Sequence, residues 1–458
     1  MDLKFENVSK VQGLLSVSIE KADYQGNVDN ALKEAKKKAQ MPGFRPGMVP
    51  MSLIQKMYGK SIKADEINKI LQNKVFSYIK ENKIDMLGEP LPNDEKESGM
   101  SLDDDDMTFW FDIALAPQFD VNVGKDDSIT YYEIKVTDEM VDSQVKGYTR
   151  QFGKYEQSDT YADGDVVKGL LTELEADGSS KENGILVEGA TVMPQFMKDD
   201  SQKALFRDAV KGSKVVFNPS KAYEGNDVEI SSLLNRKKEE VAGINSDFCL
   251  EIQDITRFVE AELGQELFDR VFGSGSVDSE SAFRSKVEES IAASFVPDSD
   301  YKFLLDARKY LMEKVGKLEF ADELLKRIMR ANSKNNDKDN IDETFDRSIE
   351  ELTWHLIQEK LVEKYSIKVE DDDVKAMARE ATRAQFAQYG MMNLPDELLD
   401  NYSKEMLKKR ETVDGLVNRA IESKLTAALK KDVKIKRKKI SVDEFNRLFD
   451  TSSSTDKK

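Results

Sequence analysis

Leu15, Val17 and Ile19 alternate with Ser16 and Ser18, the two-residue period of a strand buried on one face. Val28, Leu32, Ala35 and Ala39 then recur at helical spacing and define a buried stripe. The end of that helix carries Lys33, Lys36, Lys37 and Lys38, cations that suit the negative pole of a helix. Pro50 is well placed at a first helical position, and the spacing predicts a short helix through Leu53, Ile54 and Met57. A longer helix should follow, with Ile67, Ile70, Leu71, Val75, Tyr78 and Ile79 on its apolar face and Gly88, Pro90 and Pro92 ending the segment. Met107, Phe109, Phe111, Ile113 and Leu115 return to strand alternation. The acidic run before them, 94–106, reads as a solvated hairpin loop, because its carboxylates lack the ordered spacing of a calcium loop. Residues 1–115 thus form a compact α+β unit.

Beyond Pro117, Ile129, Tyr131, Ile134 and Val136 suggest a strand. A helix starting near Thr137 follows, with Met140, Val141, Val145, Tyr148 and Phe152 as its apolar positions. From the Asp163-Gly164-Asp165 turn the pattern shortens into strands and turns punctuated by Gly178, Gly184, Gly189, Gly212 and Gly225, and it closes on Phe248, Leu250, Ile252 and Ile255. Residues 155–258 are predicted to be a small β-rich domain. After Glu260 the period is helical: Phe283, Val287, Ile291 and Phe295, then Leu324, Leu325, Ile328 and Met329, then Phe345, Ile349, Leu352 and Leu356. A polar loop at 332–340 and a break at 389–395 interrupt it. Val433 and Ile435, among Lys434, Lys436 and Arg437, predict a short strand, and a last helix falls near 442–449. The expected fold is α+β multidomain, all-α over 259–450, with a disordered tail at 451–458.

Composition narrows the chemistry. A chain of 458 residues with 39% hydrophobic residues can bury several cores, and its formal charge of -18 argues against a chain-wide nucleic-acid surface and against DNA as a partner. The charge is uneven: 28–63 holds eight Lys/Arg against Asp29 and Glu34, a local +6 that leaves -24 on the rest. Cys249 and His355 are the only cysteine and histidine, so no disulfide and no His/Cys metal cluster is expected, and no cofactor motif is present. Cys249 lies in an apolar run and reads as a buried small side chain; His355, after Trp354, reads as an ordinary helix residue. The N-terminus has no apolar run, and nothing later reaches 18 apolar residues. The expectation is a cytoplasmic protein without a membrane partner.

One stretch, MPGFRPGMVPMSLIQKMYG at 41–59, joins these patterns to a function. Gly43 and Gly47 flank Phe44, Arg45 and Pro46, so the chain can turn sharply with the Phe and Arg at its tip. An exposed Phe beside an Arg suits a partner offering phosphate and an apolar or stacking surface, as RNA–protein assemblies do. A Gly/Pro-bounded turn that buries its Phe is the alternative.

The loop, followed by Val49-Pro50, Tyr58-Gly59, the long helix and Gly88-Glu89-Pro90, resembles the bacterial trigger factor family. So do the 367–377 stretch, the Tyr389-Gly390 break and the close at 433–445. The resemblance implies a ribosome-binding domain that docks on the large ribosomal subunit, on protein and rRNA near the exit tunnel, through Gly43, Phe44, Arg45, Pro46 and Gly47. The sequence departs from the family at Pro46 and Met48, where lysines are frequent, which shifts weight onto protein contacts or onto Lys36, Lys37 and Lys38. Position gives 155–258 the place of an isomerase domain similar to the FK506-binding-protein fold, with Val192, Pro194, Phe196, Phe206 and Tyr223 near the family's pocket positions. Such a pocket lowers the barrier of about 18–20 kcal/mol by binding the twisted X-Pro amide better than the planar one. Val166-Val167 stands where the family's first strand carries Asp-Phe, and Gln195 stands where it has Gly, crowding a turn that needs close backbone approach. Either activity survives or the domain keeps fold and apolar surface alone. The family's helical arms imply a cradle for unfolded nascent polypeptides, and 17 methionines suit adaptable binding as well as core filling. Three readings stand: an ATP-independent ribosome-associated chaperone, a working prolyl isomerase, and a ribosome-independent cytosolic chaperone or assembly factor. A homodimer when free accompanies the resemblance.

Overall fold

The computed structural model describes residues 1–42, 44–45, 48–97, 102–333, 340–389, 391 and 395–450. The chain forms two compact units, one of Met1–Tyr132 with Asp300–Lys438 and the other of Glu133–Ser299 with the chain from Lys439.

The first unit begins with a four-stranded sheet in the order Asp2–Asn7, Gln12–Ile19, Met107–Ala114, Leu91–Pro92, each neighbour antiparallel. The first of these strands is not evident in the hydrophobic pattern, since its side chains are at most half-buried. Helices Lys21–Lys38 and Met51–Glu81 pack Tyr24, Val28, Leu32, Ile54, Ile67, Leu71, Val75 and Ile79 against Leu15, Val17, Ile19 and Ile113. The second is one helix of 31 residues rather than the two expected. Gly59 lies inside it, and a single helical glycine costs only about 1 kcal/mol relative to Ala, too little to break a helix anchored by apolar contacts on both sides. Residues 102–106 of the acidic run are exposed, as a solvated loop requires, and they are also tethered. Lys21 and Lys60 pair with Asp105 and Asp103 at 3.0 and 2.9 Å, and Lys63 donates to the carbonyls of Leu102 and Asp104. Residues 98–101 lie outside the described residues.

Further along, helix Asp322–Asn332 packs Leu324, Leu325 and Ile328 against Leu87 and Ala114. Gly88 sits there at φ +74, and a Cβ on it would stand 2.9 Å from Ile328 Cγ2. Buried Asp112 accepts from Arg327 at 2.9 Å and from Asn93 at 2.8 Å, an ion pair made inside the same layer. A second core threads Val123, Ile129 and Tyr131 between helices Val296–Val315, Ile341–Lys364 and Arg410–Asp432 through Phe303, Leu311, Ile357, Leu361, Leu425 and Leu429. Beside it burial alone would raise the Asp127 carboxyl, but donors from Lys314, Tyr310 and the Gly124 amide outweigh that and hold it below the usual range.

The second unit contains a five-stranded antiparallel sheet in the order Lys154–Gln157, Phe248–Val259, Val166–Glu173, Leu186–Val192, with Lys214–Phe217 also paired to the long Phe248–Val259 strand. The small β-rich domain also holds a helix, Asp227–Leu234, which is capped by the Asn226 side chain and buries Ile230, Leu233 and Leu234 in the sheet's core. A separate helical cluster of Asp138–Gln151, Gln265–Phe272 and Glu280–Ser294 packs Val141 and Val145 on Leu267, Phe268, Phe283 and Val287. Thr137 caps its first helix, at the start the sequence predicts, by accepting from the Met140 amide. Among the described residues no helix is long and apolar enough to cross a membrane. Residues 334–339, 390, 392–394 and 451–458 lie outside the described residues, so the polar loop, the second half of the 389–395 break and the tail are sequence expectations only.

Candidate functional site

Helix Lys21–Lys38 ends with a hydrogen bond from the Ala39 amide to the Ala35 carbonyl, after which the backbone becomes extended. Its last turn presents Lys36, half-buried, and Lys37 and Lys38, exposed. Lys37 is drawn back to Glu34 at 2.7 Å, whereas Lys36, Lys38 and Arg45 have no ion pair among the described residues. Met41 and Phe44 then form an isolated antiparallel bridge, closed by the Phe44 amide on the Met41 carbonyl at 3.1 Å, and the Met48 amide donates to the Arg45 carbonyl at 2.9 Å. Val49 is fully buried and fixes the base of the excursion before Pro50 caps the long helix. Between these anchors Phe44 is 42% exposed, and Arg45 and Met48 are exposed as well. The buried-Phe alternative therefore does not describe this turn. Gly43, Pro46 and Gly47 lie outside the described residues. What the described part offers is an aromatic face and an unpaired guanidinium on one short turn, with lysines on the preceding helix.

Of the five expected pocket residues of the β-rich sheet, four are buried and one is exposed. Val192, Phe206 and Tyr223 belong to its buried core, where the Phe206 ring meets Phe217 at 5.5 Å and Tyr161 at 6.2 Å. Burial, with Glu229 adding to it, pushes the Tyr223 phenol up to about 12. Pro194 is buried at the start of the turn Pro194–Phe196, while Phe196 itself is 62% exposed. A cavity of about 570 Å³ elsewhere in the unit, lined by Asp138, Glu280, Arg284 and Glu288, is polar, and another of about 540 Å³ is lined by Tyr161, Asp163, Asp200, Lys203 and Arg207. The Tyr161 hydroxyl is buried without a hydrogen-bond partner among the described residues, and burial, then Asp163 and Asp165, push it up to about 12. Neither polar lining suits an apolar prolyl ring. Cys249 is partly buried on the long strand, and burial pushes its thiol up, away from thiolate chemistry. His355 is exposed beside Glu359 at 3.3 Å, and among the described residues no group of three His, Cys, Asp or Glu is placed to hold a metal ion.

Sequence periodicity misses a third surface. Helices Asp371–Gln388 and Asp396–Met406 pack as a hairpin, pinned by Arg379 on Asp396 and Asp400, both at 2.8 Å. Leu399 is buried between them, but Leu398, Tyr402 and Met391 are exposed, Tyr389 is 76% exposed, and Tyr402 meets Phe386 edge-on at 4.9 Å. The legible signal is the density of apolar residues: Leu398, Leu399 and Tyr402 exceed what one buried stripe can hold.

Three family models match consecutive parts of the chain: bacterial trigger factor protein over residues 1–148, probable trigger factor FKBP-like domain over 155–260, and probable trigger factor C-terminal domain over 299–449. Among curated relatives, the trigger factor of Chlorobaculum tepidum is 24% identical over 459 residues, covering 97% of this chain and 100% of its own. That of Chloroherpeton thalassium is 25% identical, covering 95% and 99%, and that of Shewanella woodyi is 22% identical, covering 97% and 98%. A solved trigger factor chaperone structure covers 94% of this chain and 99% of its own at 15% identity and a TM-score of 0.49, a likeness too loose to carry an argument.

Proposed function

The chain belongs to the trigger factor family of chaperones, and on that premise we propose that it docks at the exit region of the large ribosomal subunit through Phe44 and Arg45 and shields apolar segments of nascent chains in the cytoplasm. The observation that carries the docking is the joint exposure of Phe44 and Arg45 on a turn whose base is fixed by Val49. The Arg reads phosphate, the Phe covers an apolar protein or base surface, and Lys36 and Lys38 add sequence-independent attraction to rRNA. Lys37 contributes less, since Glu34 already neutralises it. The exposed face of Tyr389, Met391, Leu398 and Tyr402 is the proposed site for client segments, which it binds by apolar contact without ATP. The β-rich sheet contributes fold and surface, with Phe196 its one exposed residue among the expected pocket positions.

Ribosome co-sedimentation at low and moderate salt tests the docking. The wild type should pellet with ribosomes and the Phe44→Ala/Arg45→Ala variant should stay in the supernatant. A wild type that does not bind at low salt would move the reading to a free cytosolic chaperone. A proline-peptide assay on the wild type and Phe196→Ala separates the isomerase reading, which requires turnover that Phe196→Ala reduces.

A further inference from the structure

Residues 430–439, KKDVKIKRKK, hold seven Lys/Arg against Asp432, a local +6 in a chain of -18. The loop around Phe44 does not account for this second basic run. The strand Lys434–Ile440 pairs with Ser128–Ile134 in a two-stranded ribbon. Val433 is buried and Ile435 packs on the helical core, so strand alternation puts Lys434, Lys436 and Lys438 together on the opposite, exposed face. They recur about every 7 Å, from a rise of roughly 3.3 Å per residue. Lys431, Lys434, Lys436 and Lys438 have no acidic partner among the described residues. The one acid of the run, Asp432, is taken by Lys364 at 3.2 Å and Tyr365 at 2.8 Å. Lysines on an edge strand also deter strand pairing, but one or two suffice for that.

We propose that this lysine ladder is a second RNA-binding surface, one that holds the phosphate backbone of an extended RNA strand. The repeat of same-face cations is comparable to that of successive phosphates along a single strand. Neither strand of the ribbon exposes a large apolar side chain, which an acidic polypeptide would need as an anchor beyond its charges. The Tyr132 ring is covered by Lys438 at 5.9 Å and Lys302 at 5.7 Å, so no free aromatic face reads a base, and binding is independent of sequence.

Fluorescence anisotropy of a labelled single-stranded RNA of about 20 nucleotides, titrated with the full chain at several salt concentrations, tests this. The wild type should bind at low salt. Lys434→Gln/Lys436→Gln/Lys438→Gln should bind at least about tenfold more weakly, with a plot of log K against log[salt] shallower by about 2, from roughly 0.7 for each phosphate no longer neutralised. The corresponding triple Arg variant should retain the wild-type slope, and an unchanged thermal midpoint in both variants excludes unfolding. No wild-type binding at low salt, an unaltered slope in the Gln variant, or competition by poly-glutamate equal to that of RNA per charge would each overturn the proposal. The Gln variant keeps Phe44 and Arg45, so it should still co-sediment with ribosomes while its RNA affinity falls; loss of one without the other lets either reading fail alone.

Discussion

Around residue 44 the chain leaves a phenylalanine half in water between two helices that bury their own apolar stripes. Around residue 206 it closes a phenylalanine completely between Phe217, Tyr161 and a covering helix. The same side chain is worth about 1.5–3 kcal/mol of burial in either place. The sheet gains that energy in folding. The loop forgoes it, and only a partner that covers the ring can recover it. A chain thus separates core from binding surface by whether its neighbouring elements close a second layer. Strands Val166–Glu173 and Phe248–Val259 and helix Asp227–Leu234 supply one in the second unit. In the first, Val49 is buried at the base of the turn and Met41 is half-buried against the same core.

Truncation should expose the contrast most strongly. Phe206→Ala leaves a cavity in a closed core and should cost about 3–5 kcal/mol in urea unfolding. A loss under about 1 kcal/mol would mean the ring faces a pocket that solvent or a prolyl peptide can enter. Next comes Glu173, whose carboxylate is buried and accepts from Lys181 at 2.6 Å, the Ile185 amide at 2.9 Å and Ser246 at 2.7 Å. Burial would raise it, but these donors outweigh burial and hold it below the usual range. A carboxylate held low in the folded state adds stability above its unfolded value of about 4.3, and that stability drains away as pH falls through the folded value. Glu173→Gln should cost about 2 kcal/mol at pH 7 and make the sheet's urea midpoint fall less steeply below about pH 4.3. Gly88→Ala, where a Cβ meets Ile328 at a positive φ, should destabilise the loop-bearing unit by about 1–2 kcal/mol. The smallest effect belongs to Phe44→Ala, whose stability should stay within about 0.5 kcal/mol of wild type in thermal unfolding even as ribosome binding weakens.

Much of the architecture was legible because periodicity reports burial. The stripe Val28, Leu32, the strand from Met107 and the Thr137 cap all stand where spacing put them. The long helix reads as two because few apolar positions fall between Met57 and Ile67, although Ile62 packs on the same core. Helix Asp227–Leu234 escaped because glycine punctuation dominates its surroundings, although Asn226 and the spacing of Ile230, Leu233 and Leu234 carry the signal. For the site, flanking cations and glycines distinguish Phe44 in the sequence, whereas Phe206 and Tyr223 rest on a resemblance of position alone. Apolar side chains at such positions look alike whether they line a pocket or fill a core. Leu398 and Leu399 make the same point at one residue's separation, for periodicity admits both and packing takes only one.

The discontinuity of the first unit bears on how the protein itself is made. The core under Phe44 draws on residues from Leu15 to Ile113 and can close while the chain is still emerging. Ile129, by contrast, shares a core with Leu429, about 300 residues later, and at roughly 5–20 residues per second it waits some 15–60 s for its partner. During that interval the turn at Phe44 is already assembled while Val123, Ile129 and Tyr131 lack the helix Arg410–Asp432 that completes their core. Before it can shelter any other polypeptide, the molecule is a nascent chain with an exposed apolar segment of its own.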